Sequence, residues 1–185
     1  MDSNNHITFR KATKEDALFI ARGFHTAMLM EETDEARMRK FAELICSRDD
    51  VLYSARNTLI AQWDGVNAGM VTAYDGRYYR GWREKTFELF KEHIGIEFPG
   101  MEDEAVPGEY YIDSLAVCSE FRGRGIGRAL LECTIAEGLQ LGRIVTLAVD
   151  PENVKAQLLY ESLGFRRCGT LFIFGHDYWK MMIKN

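Results

Sequence analysis

The feature that most constrains this chain is a cluster of glycines and arginines between a strand-like segment and an apolar helix-like segment. The cluster reads EFRGRGIGR over residues 120–128 and contains three glycines within five positions: Gly123, Gly125 and Gly127. Glycines so close together let backbone N–H groups turn toward one point without obstruction by Cβ atoms. The N-terminus of the following helix adds positive dipole potential at that point. We therefore expect a loop that binds a pyrophosphate.

The charge of the cluster fits an anionic ligand. Its three arginines are Arg122, Arg124 and Arg128, and they outweigh the single carboxylate of Glu120 to leave a local charge of +2 in a chain of net charge −5. A P-loop requires Gly-Lys followed by Ser or Thr, whereas Gly127 is followed by Arg-Ala. A dinucleotide fingerprint requires G-x-G-x-x-G, and the spacing here is G-x-G-x-G. Both of those phosphate loops are excluded, and a glycine-rich connector with solvated arginines is the remaining alternative.

The rest of the chain alternates strand and helix patterns. Strands are predicted over 7–11, 58–63, 67–74, 109–118, 143–149, 165–170 and 176–183. Helices are predicted over 17–24 after an N-cap at Thr13, over 35–46, 127–140 and 153–163, the last of them stopped by Gly164. Apolar positions from Trp82 to Ile94 indicate a further amphipathic helix within 77–108. Asp64-Gly65 is a hairpin signal between two of the strands. This order predicts a mixed α/β or α+β sheet.

Length and composition indicate one domain with an addition. The chain has 185 residues, of which 46% are hydrophobic, and we expect a single domain over residues 1–185 with an insertion at 77–108.

The net charge of −5 disfavours nucleic acid as a partner. No apolar run approaches the roughly 20 residues that cross a bilayer, and residues 1–6 are polar, so we expect a cytoplasmic protein without a membrane partner. The four cysteines form no CxxC pair, so we expect buried thiols and no metal site.

Two motifs resemble those of the GNAT superfamily of N-acetyltransferases. RGRGIG at 122–127 matches the family's acyl-CoA loop, [RQ]-x-x-G-x-[GA], and the preceding IDSLAV at 112–117 resembles its fourth strand. NVKAQLLYESLGF at 153–165 resembles a second family element, N-x-x-A-x-x-L-Y-x-x-x-G-F. The two motifs occur in the family's order, separated by an apolar helix and strand, and the resemblance covers about residues 109–166.

The resemblance implies a twisted, largely antiparallel sheet whose fourth and fifth strands splay apart, flanked by helices. Acetyl-CoA, or another acyl-CoA, is implied to bind in the splay as co-substrate. The implied pyrophosphate loop comprises Arg122, Gly123, Arg124, Gly125, Ile126, Gly127 and Arg128. The strand residues implied to meet the pantetheine arm are Leu115, Ala116 and Val117, and the Val117 N–H would polarise the thioester carbonyl. Asn153 and Ala156 are implied to lie near the CoA arm, although Asn153 equally suits a helix N-cap.

Acetyl transfer to an amine needs a base for the ammonium proton and an acid for the departing thiolate. The resemblance implies that Tyr160 is the acid, with packing on Phe165 as the alternative. For the base, Glu109 and Asp113 alternate onto one face of the predicted strand. Asp113 is the first candidate and Glu109 the second, and a structural carboxylate is the alternative reading of Asp113. Tyr111 stands where some family members carry a catalytic glutamate.

The acceptor is expected to be a primary amine of a small molecule. The insertion at 77–108 enters just before the candidate strand, so it could roof an acceptor pocket. Its acidic cluster of Glu102, Asp103 and Glu104 is expected to be a solvated loop, with attraction of a cationic amine as the alternative. A C-terminal strand carrying Trp179, Met181 and Met182 could support a homodimer, as in many family members.

Three other functions stay open at this point. A protein N-terminal or lysine acetyltransferase would share the fold but would need an open groove for a peptide. A non-catalytic acyl-CoA-binding regulatory module would not need Tyr160. A cysteine-nucleophile acyltransferase would use Cys118, which follows the candidate strand, but no histidine stands beside that cysteine in the sequence.

Overall fold

The computed structural model of the protein describes residues 6–27, 35–95 and 97–183. Its strands are β1 (Ile7–Lys11), β2 (Thr58–Trp63), β3 (Val66–Asp75), β4 (Glu109–Val117), β5 (Ile144–Val149), β6 (Arg166–Ile173) and β7 (His176–Ile183). Its helices are α1 (Ala17–Ala27), α2 (Glu35–Phe41), α3 (Tyr79–Ile94), α4 (Ile126–Gln140) and α5 (Val154–Ser162). Residues 1–5, which include most of the polar N-terminal segment, lie outside the described residues.

The strands form one seven-stranded sheet in the order β1-β2-β3-β4-β5-β7-β6. β1, β2 and β3 pair antiparallel in sequence, and β7 pairs antiparallel with both β5 and β6. β4 is parallel to β5, and their ladder joins Glu109–Ile112 to Ile144–Leu147. β4 then continues to Val117. The predicted mixed, mostly antiparallel sheet with flanking helices is confirmed.

The chain divides into two compact units. The first comprises Met1–Thr72 and Ser114–Leu131. In it α1 buries one apolar face, including Ile20 and Ala21, against residues such as Ile60 and Met70. Gly69 of β3 is required by close packing, because a Cβ there would lie 2.9 Å from the backbone oxygen of Ala116.

The second unit comprises Ala73–Asp113 and Glu132–Asn185. α4 packs closely against β4 and β5 at Gly138. A Cβ at this position would lie 2.7 Å from the side chain of Val145 and 2.9 Å from that of Tyr110, so the close packing requires glycine. The segment 77–108 is hydrogen-bonded to β6, because the backbone amide of Glu102 donates to the carbonyl oxygen of Phe172 at 3.0 Å. Met101 of this segment belongs to a small core cluster with residues of β6. The segment is therefore packed structure, while its description as an insertion in a single domain stays a prediction.

Three local predictions need correction. The helix expected over 35–46 is an α-helix only to Phe41, and residues Ala42–Cys46 continue as a π-helical turn, a change of hydrogen-bond spacing that side-chain periodicity does not reveal. The strand expected to begin at Phe165 begins at Arg166 and runs on to Ile173, because pairing with β7 extends it. Of the four cysteines, which are all free, only Cys46 is buried and Cys168 is exposed.

Candidate active site

The predicted phosphate loop begins at the end of β4 and runs into α4. Gly123 and Gly125 have φ angles of +76° and +79°, a left-handed conformation that side chains disfavour. A Cβ at either position would meet no atom within 4 Å, so backbone conformation and not crowding requires glycine there. The loop opens directly on the N-terminus of α4, which begins at Ile126. These features are those of an anion-binding turn.

Two arginines of the loop are held in place within the first unit. The Arg122 Nε donates to the backbone oxygen of Val117 at 3.2 Å, which ties the loop to the end of β4. The Arg124 guanidinium lies 4.8 Å from the ring centroid of Trp63 and 5.7 Å from that of Phe121. The Trp63 ring in turn stacks on His6 at 4.9 Å. The charge of the loop is therefore partly preorganised by strand and aromatic contacts.

Asp113, the first candidate base, has a hydrogen-bonding partner that sequence reasoning missed. The hydroxyl of Tyr74, on β3, donates to Asp113 Oδ2 at 2.6 Å. Tyr74 also packs edge-on against Trp82 of α3, with ring centroids 6.1 Å apart. Asp113 remains half-buried. Its carboxylate is thus oriented by a phenol and is not wholly withdrawn from solvent.

The side chain of Glu104 is buried, contrary to expectation. We expected the acidic cluster at 102–104 to be a solvated loop, but Glu104 is only 5% exposed. The Tyr111 hydroxyl donates to Glu104 Oε2 at 2.7 Å, and the Tyr79 hydroxyl donates to Oε1 at 3.4 Å. Burial, and next the charge of Asp113, raise the pKa of Glu104 to about 8. No local pattern signals this burial, because it arises from tyrosines on α3 and β4.

Asp103, the neighbour of Glu104, is also bound and not free in solvent. Its carboxylate accepts from Arg80 at 2.8 Å and from Arg83 at 3.2 Å. The solvated-loop expectation is therefore wrong for Asp103, which two arginines bind, and for Glu104, which two tyrosines help to bury, whereas Glu102 is exposed as expected.

Glu109, the second candidate base, is engaged in an ion pair. The Lys180 Nζ lies 2.8 Å from its carboxylate, and both side chains are 14% exposed. The Val106 amide and the Thr146 hydroxyl also donate to Glu109 Oε2, at 3.2 and 3.3 Å. Three donors, one of them a cation, reduce the capacity of the Glu109 carboxylate to accept a substrate proton.

The second motif forms the turn and helix expected of it. Asn153 caps α5, since its side-chain oxygen accepts from the Ala156 amide at 3.1 Å. The buried Gln157 donates to the carbonyl oxygens of Asp150 and Pro151, a support for this turn that sequence reasoning missed. The N-cap reading of Asn153 is confirmed, and contact of Asn153 or Ala156 with CoA stays a prediction.

Tyr160, the candidate acid, lies on α5. Its ring packs edge-on against Phe165 with centroids 6.0 Å apart, so the packing reading is confirmed without excluding a role for the hydroxyl. Burial raises the pKa of Tyr160 to about 12. The phenol therefore keeps its proton at neutral pH and can donate it.

The Cys118 thiol is a weak candidate for a nucleophile. Burial, followed by the charge of Glu120, raises the pKa of Cys118, which lowers the thiolate fraction that a nucleophile needs. Within residues 6–27, 35–95 and 97–183, no group of three or more His, Cys, Asp or Glu side chains is arranged to hold a metal ion. Among the helices of those same residues, none combines the length and the apolar character needed to cross a bilayer.

A glycine loop at a helix N-terminus, following a strand that outruns its parallel neighbour, is the arrangement that the resemblance to acyl-CoA-dependent transferases implies. The chain matches the model of the acetyltransferase (GNAT) family over residues 23–165. It belongs to this family, whose acetyl donor is acetyl-CoA.

Known proteins agree with this assignment. A solved structure described as an acetyltransferase is 32% identical, has a TM-score of 0.76, and the match covers 95% of this chain and 97% of that one. N-alpha-acetyltransferase 40 from Saccharomyces cerevisiae is 36% identical over 122 residues, 62% of this chain and 38% of that protein. Mycothiol acetyltransferase from Kocuria rhizophila is 44% identical over 70 residues, 37% of this chain and 22% of that protein. The chain thus matches well under half the length of these two curated relatives.

Proposed function

We propose that this acetyltransferase moves the acetyl group of acetyl-CoA directly to a primary amine of a small molecule. The observation that carries the proposal is the Tyr74–Asp113 hydrogen bond within an aromatic cluster built partly by residues 77–108. The Tyr74 ring is itself packed by Tyr79 and Trp82, whose rings lie 6.2 and 6.1 Å from it. A half-buried carboxylate held beside such an aromatic cluster suits a compact cation better than an extended chain.

The donor half of the reaction rests on the glycine loop. In the proposed complex, backbone N–H groups of residues 123–128 bind the pyrophosphate, with Arg122, Arg124 and Arg128 adding positive charge. The implied partners of the pantetheine arm are Leu115, Ala116 and Val117, with Asn153 and Ala156 beside it. The Val117 N–H then serves as the donor to the thioester oxygen, where negative charge develops.

The proton steps assign one residue to each task. Asp113 takes a proton from the ammonium group, and the freed lone pair on nitrogen attacks the thioester carbon. The C–S bond then breaks and Tyr160 donates its proton to the departing CoA sulphur. The attacking nitrogen loses its second proton, which returns the Tyr160 phenolate to the phenol, and Asp113 releases the first proton to solvent. General acid and base groups typically contribute about 10² to 10⁴ each to the rate. Glu109 is the weaker candidate base because Lys180 already occupies its carboxylate.

A second candidate function is N-terminal acetylation of a protein. It is favoured by the 36% identity to the yeast N-alpha-acetyltransferase 40. Mycothiol acetyltransferase, the other relative described above, is named for a small molecule. The two curated relatives therefore divide between the two acceptor classes.

Two further expectations belong to the proposal. We infer a cytoplasmic protein with no nucleic-acid or membrane partner, supported by the net charge of −5 and by the absence of long apolar runs in the sequence. We also infer a homodimer. The C-terminal strand β7, which carries Trp179, Met181 and Met182 and was expected to support it, is paired on both sides by β5 and β6, so β6 at the end of the sheet order is the candidate edge instead. Sedimentation at several protein concentrations tests the second inference.

The experiment that tests the proposed function is a panel of acceptors with acetyl-CoA, followed by release of the free CoA thiol. The panel contains polyamines, amino acids, aminoglycosides and N-terminal peptides, and product masses identify what is acetylated. Turnover of a small amine that Asp113→Asn abolishes supports the proposal. Binding of acetyl-CoA without turnover of any acceptor would instead indicate a non-catalytic module.

A further inference from the structure

Glu104 is a buried carboxyl group that the proposed proton steps do not use. Its side chain is 5% exposed and meets two tyrosine hydroxyls, those of Tyr111 at 2.7 Å and Tyr79 at 3.4 Å. The Glu104 amide also donates to the Tyr79 oxygen at 3.1 Å. An ionised carboxylate removed from water in this way is costly unless it is paired with a cation, so such groups tend to hold a proton.

The same tyrosines connect Glu104 to the candidate base. The Tyr74 ring, whose hydroxyl holds Asp113, lies 6.0 Å from the ring of Tyr111 and 6.2 Å from that of Tyr79. Tyr111 and Asp113 alternate onto the same face of β4. Asp113 acts electrostatically on Glu104 across this cluster. Two carboxyl groups therefore share one aromatic environment, one of them deep and the other half-buried.

Other charged or titratable groups also face Glu104. They come from three elements: Tyr79 and Arg83 of α3, Tyr111 and Asp113 of β4, and Tyr178 and Lys180 of β7. Arg83 favours the ionised form of Glu104, but its guanidinium also binds Asp103. Lys180 donates to the Glu104 backbone oxygen at 3.1 Å while its charge is paired with Glu109. The positive groups near Glu104 are thus already matched by other carboxylates.

We propose that Glu104 is a positioning residue that acts through Asp113: the pair carries one proton at neutral pH, Glu104 keeps it, and Asp113 remains ionised toward the amine. Two nearby carboxylates resist ionising together, and the more deeply buried one retains its proton. In the reaction, the N–H bond of the ammonium breaks and the proton passes to Asp113, while Glu104 stays neutral. This inference rests on the proposed function, which makes Asp113 the base.

The arrangement has a consequence for acceptor binding. Burial and the charge of Asp113 raise the pKa of Glu104 to about 8. As the pH rises through that value, Glu104 loses its proton and the pair becomes doubly negative. A second negative charge strengthens the attraction for a cationic amine, so KM for such an acceptor should fall.

The kinetic test compares wild type with Glu104→Gln, whose amide mimics the protonated acid. The ratio of the two KM values removes the titration of the amine itself, which both enzymes experience equally. We expect this ratio to be constant at acid pH and to change through about pH 8, by about tenfold for each unit by which the bound ammonium lowers the pKa of Glu104. Glu88→Gln, at an exposed carboxylate of α3 paired with Lys85, is the matched control and should give a flat ratio. A flat ratio for Glu104→Gln overturns the inference.

A substrate-free measurement separates failure of this inference from failure of the proposed function. The infrared spectrum of the unliganded enzyme at pH 7 should show a protonated carboxyl band that Glu104→Gln lacks and that disappears through about pH 8. Tyr111→Phe keeps the carboxyl but removes a hydrogen bond that favours its ionised form, so the band should persist to higher pH. Absence of the band at pH 7 overturns the inference even if amines are acetylated. Absence of acetylation with the band present overturns only the proposed function.

Discussion

The hydroxyl of Tyr74 donates a 2.6 Å hydrogen bond to Oδ2 of Asp113, which links the third strand to the candidate base on the fourth. A short bond to an ionised acceptor is stronger than one between neutral groups. The bond fixes the orientation of the carboxylate that we propose as the acceptor of the substrate proton.

The first prediction concerns that carboxylate. Asp113→Asn should lower kcat/KM for an amine by about 10² to 10⁴ near neutral pH, because the amide cannot accept the ammonium proton. Activity should recover partly at high pH, where a larger share of the amine is already neutral. Tyr74→Phe keeps the carboxylate and should cost less. Unchanged kinetics in Asp113→Asn would remove this residue from the mechanism.

The second prediction concerns the ion pair of Glu109 and Lys180. Because both side chains are only 14% exposed, Glu109→Gln leaves a poorly solvated ammonium and should lower the free energy of unfolding by about 3 kcal/mol. At a temperature well below unfolding, its kcat/KM should fall much less than that of Asp113→Asn. Denaturant titration and steady-state kinetics provide the two values. A loss of kcat/KM as large as that of Asp113→Asn, without loss of stability, would make Glu109 the base instead.

The third prediction concerns the glycine loop. Gly125→Ala places a side chain at φ +79° and should cost about 1 to 2 kcal/mol of strain, which the loop can relieve only by leaving its anion-binding conformation. Its Kd for acetyl-CoA, measured by calorimetry, should therefore rise. Gly65→Ala is the matched control, because Gly65 has φ +81° and its Cβ would also meet nothing within 4 Å. Equal Kd values for the two variants would contradict a role for the loop in CoA binding.

The fourth prediction concerns Tyr160. Tyr160→Phe should lower kcat more than KM, because the proton is needed only as CoA departs. Since its pKa is raised to about 12, the tyrosine keeps its proton across the working range, and the loss should be the same at neutral and mildly alkaline pH. Stopped-flow detection of the free thiol measures the effect. An unchanged kcat would leave Tyr160 with only its packing on Phe165.

The fifth prediction concerns acid stability. The hydrogen bonds from Arg10 lower the pKa of Asp16 to about 2, from an ordinary value of 3.8. A lowered pKa stabilises the fold above the unfolded value, so this contribution is complete above about pH 5 and is lost as the pH falls toward 2. Asp16→Asn should cost about 2 kcal/mol at neutral pH and little at pH 2. Chemical denaturation at both pH values checks this, and an equal loss at both would contradict the ion-pair explanation.

Much of this fold was predictable because short sequence motifs determine the local backbone conformation. The turn Asp64-Gly65, the cap Asn153 and the glycines of the loop each impose a backbone conformation on their own residues, and the structure contains all of these features. The candidate strand residues also followed from simple alternation along β4. The sequence does not show how the second carboxyl becomes buried. Glu104 sits beside Glu102 and Asp103, and its burial involves tyrosines of two other elements, Tyr79 of α3 and Tyr111 of β4.

The partners of the candidate bases were unpredictable for the same reason. Tyr74 is 39 residues from Asp113, and Lys180 is 71 residues from Glu109. Pairing at such separation depends on the order of strands in the sheet, which periodicity does not determine. The sequence therefore supplied the chemical groups, and the sheet topology decided which carboxylate is engaged by an ion pair and which by a phenol.

The most direct test of small-amine acetylation is a competition in one vessel. Wild-type enzyme and acetyl-CoA are incubated with a small primary amine that is turned over in the acceptor panel and with an N-terminal peptide, at equal concentrations. Mass spectrometry of the products gives the ratio of the two kcat/KM values. We expect the acetylated small amine to predominate in wild type and to disappear in Asp113→Asn. Acetylated peptide as the main product would contradict a small-molecule acceptor and assign the chain to N-terminal acetylation.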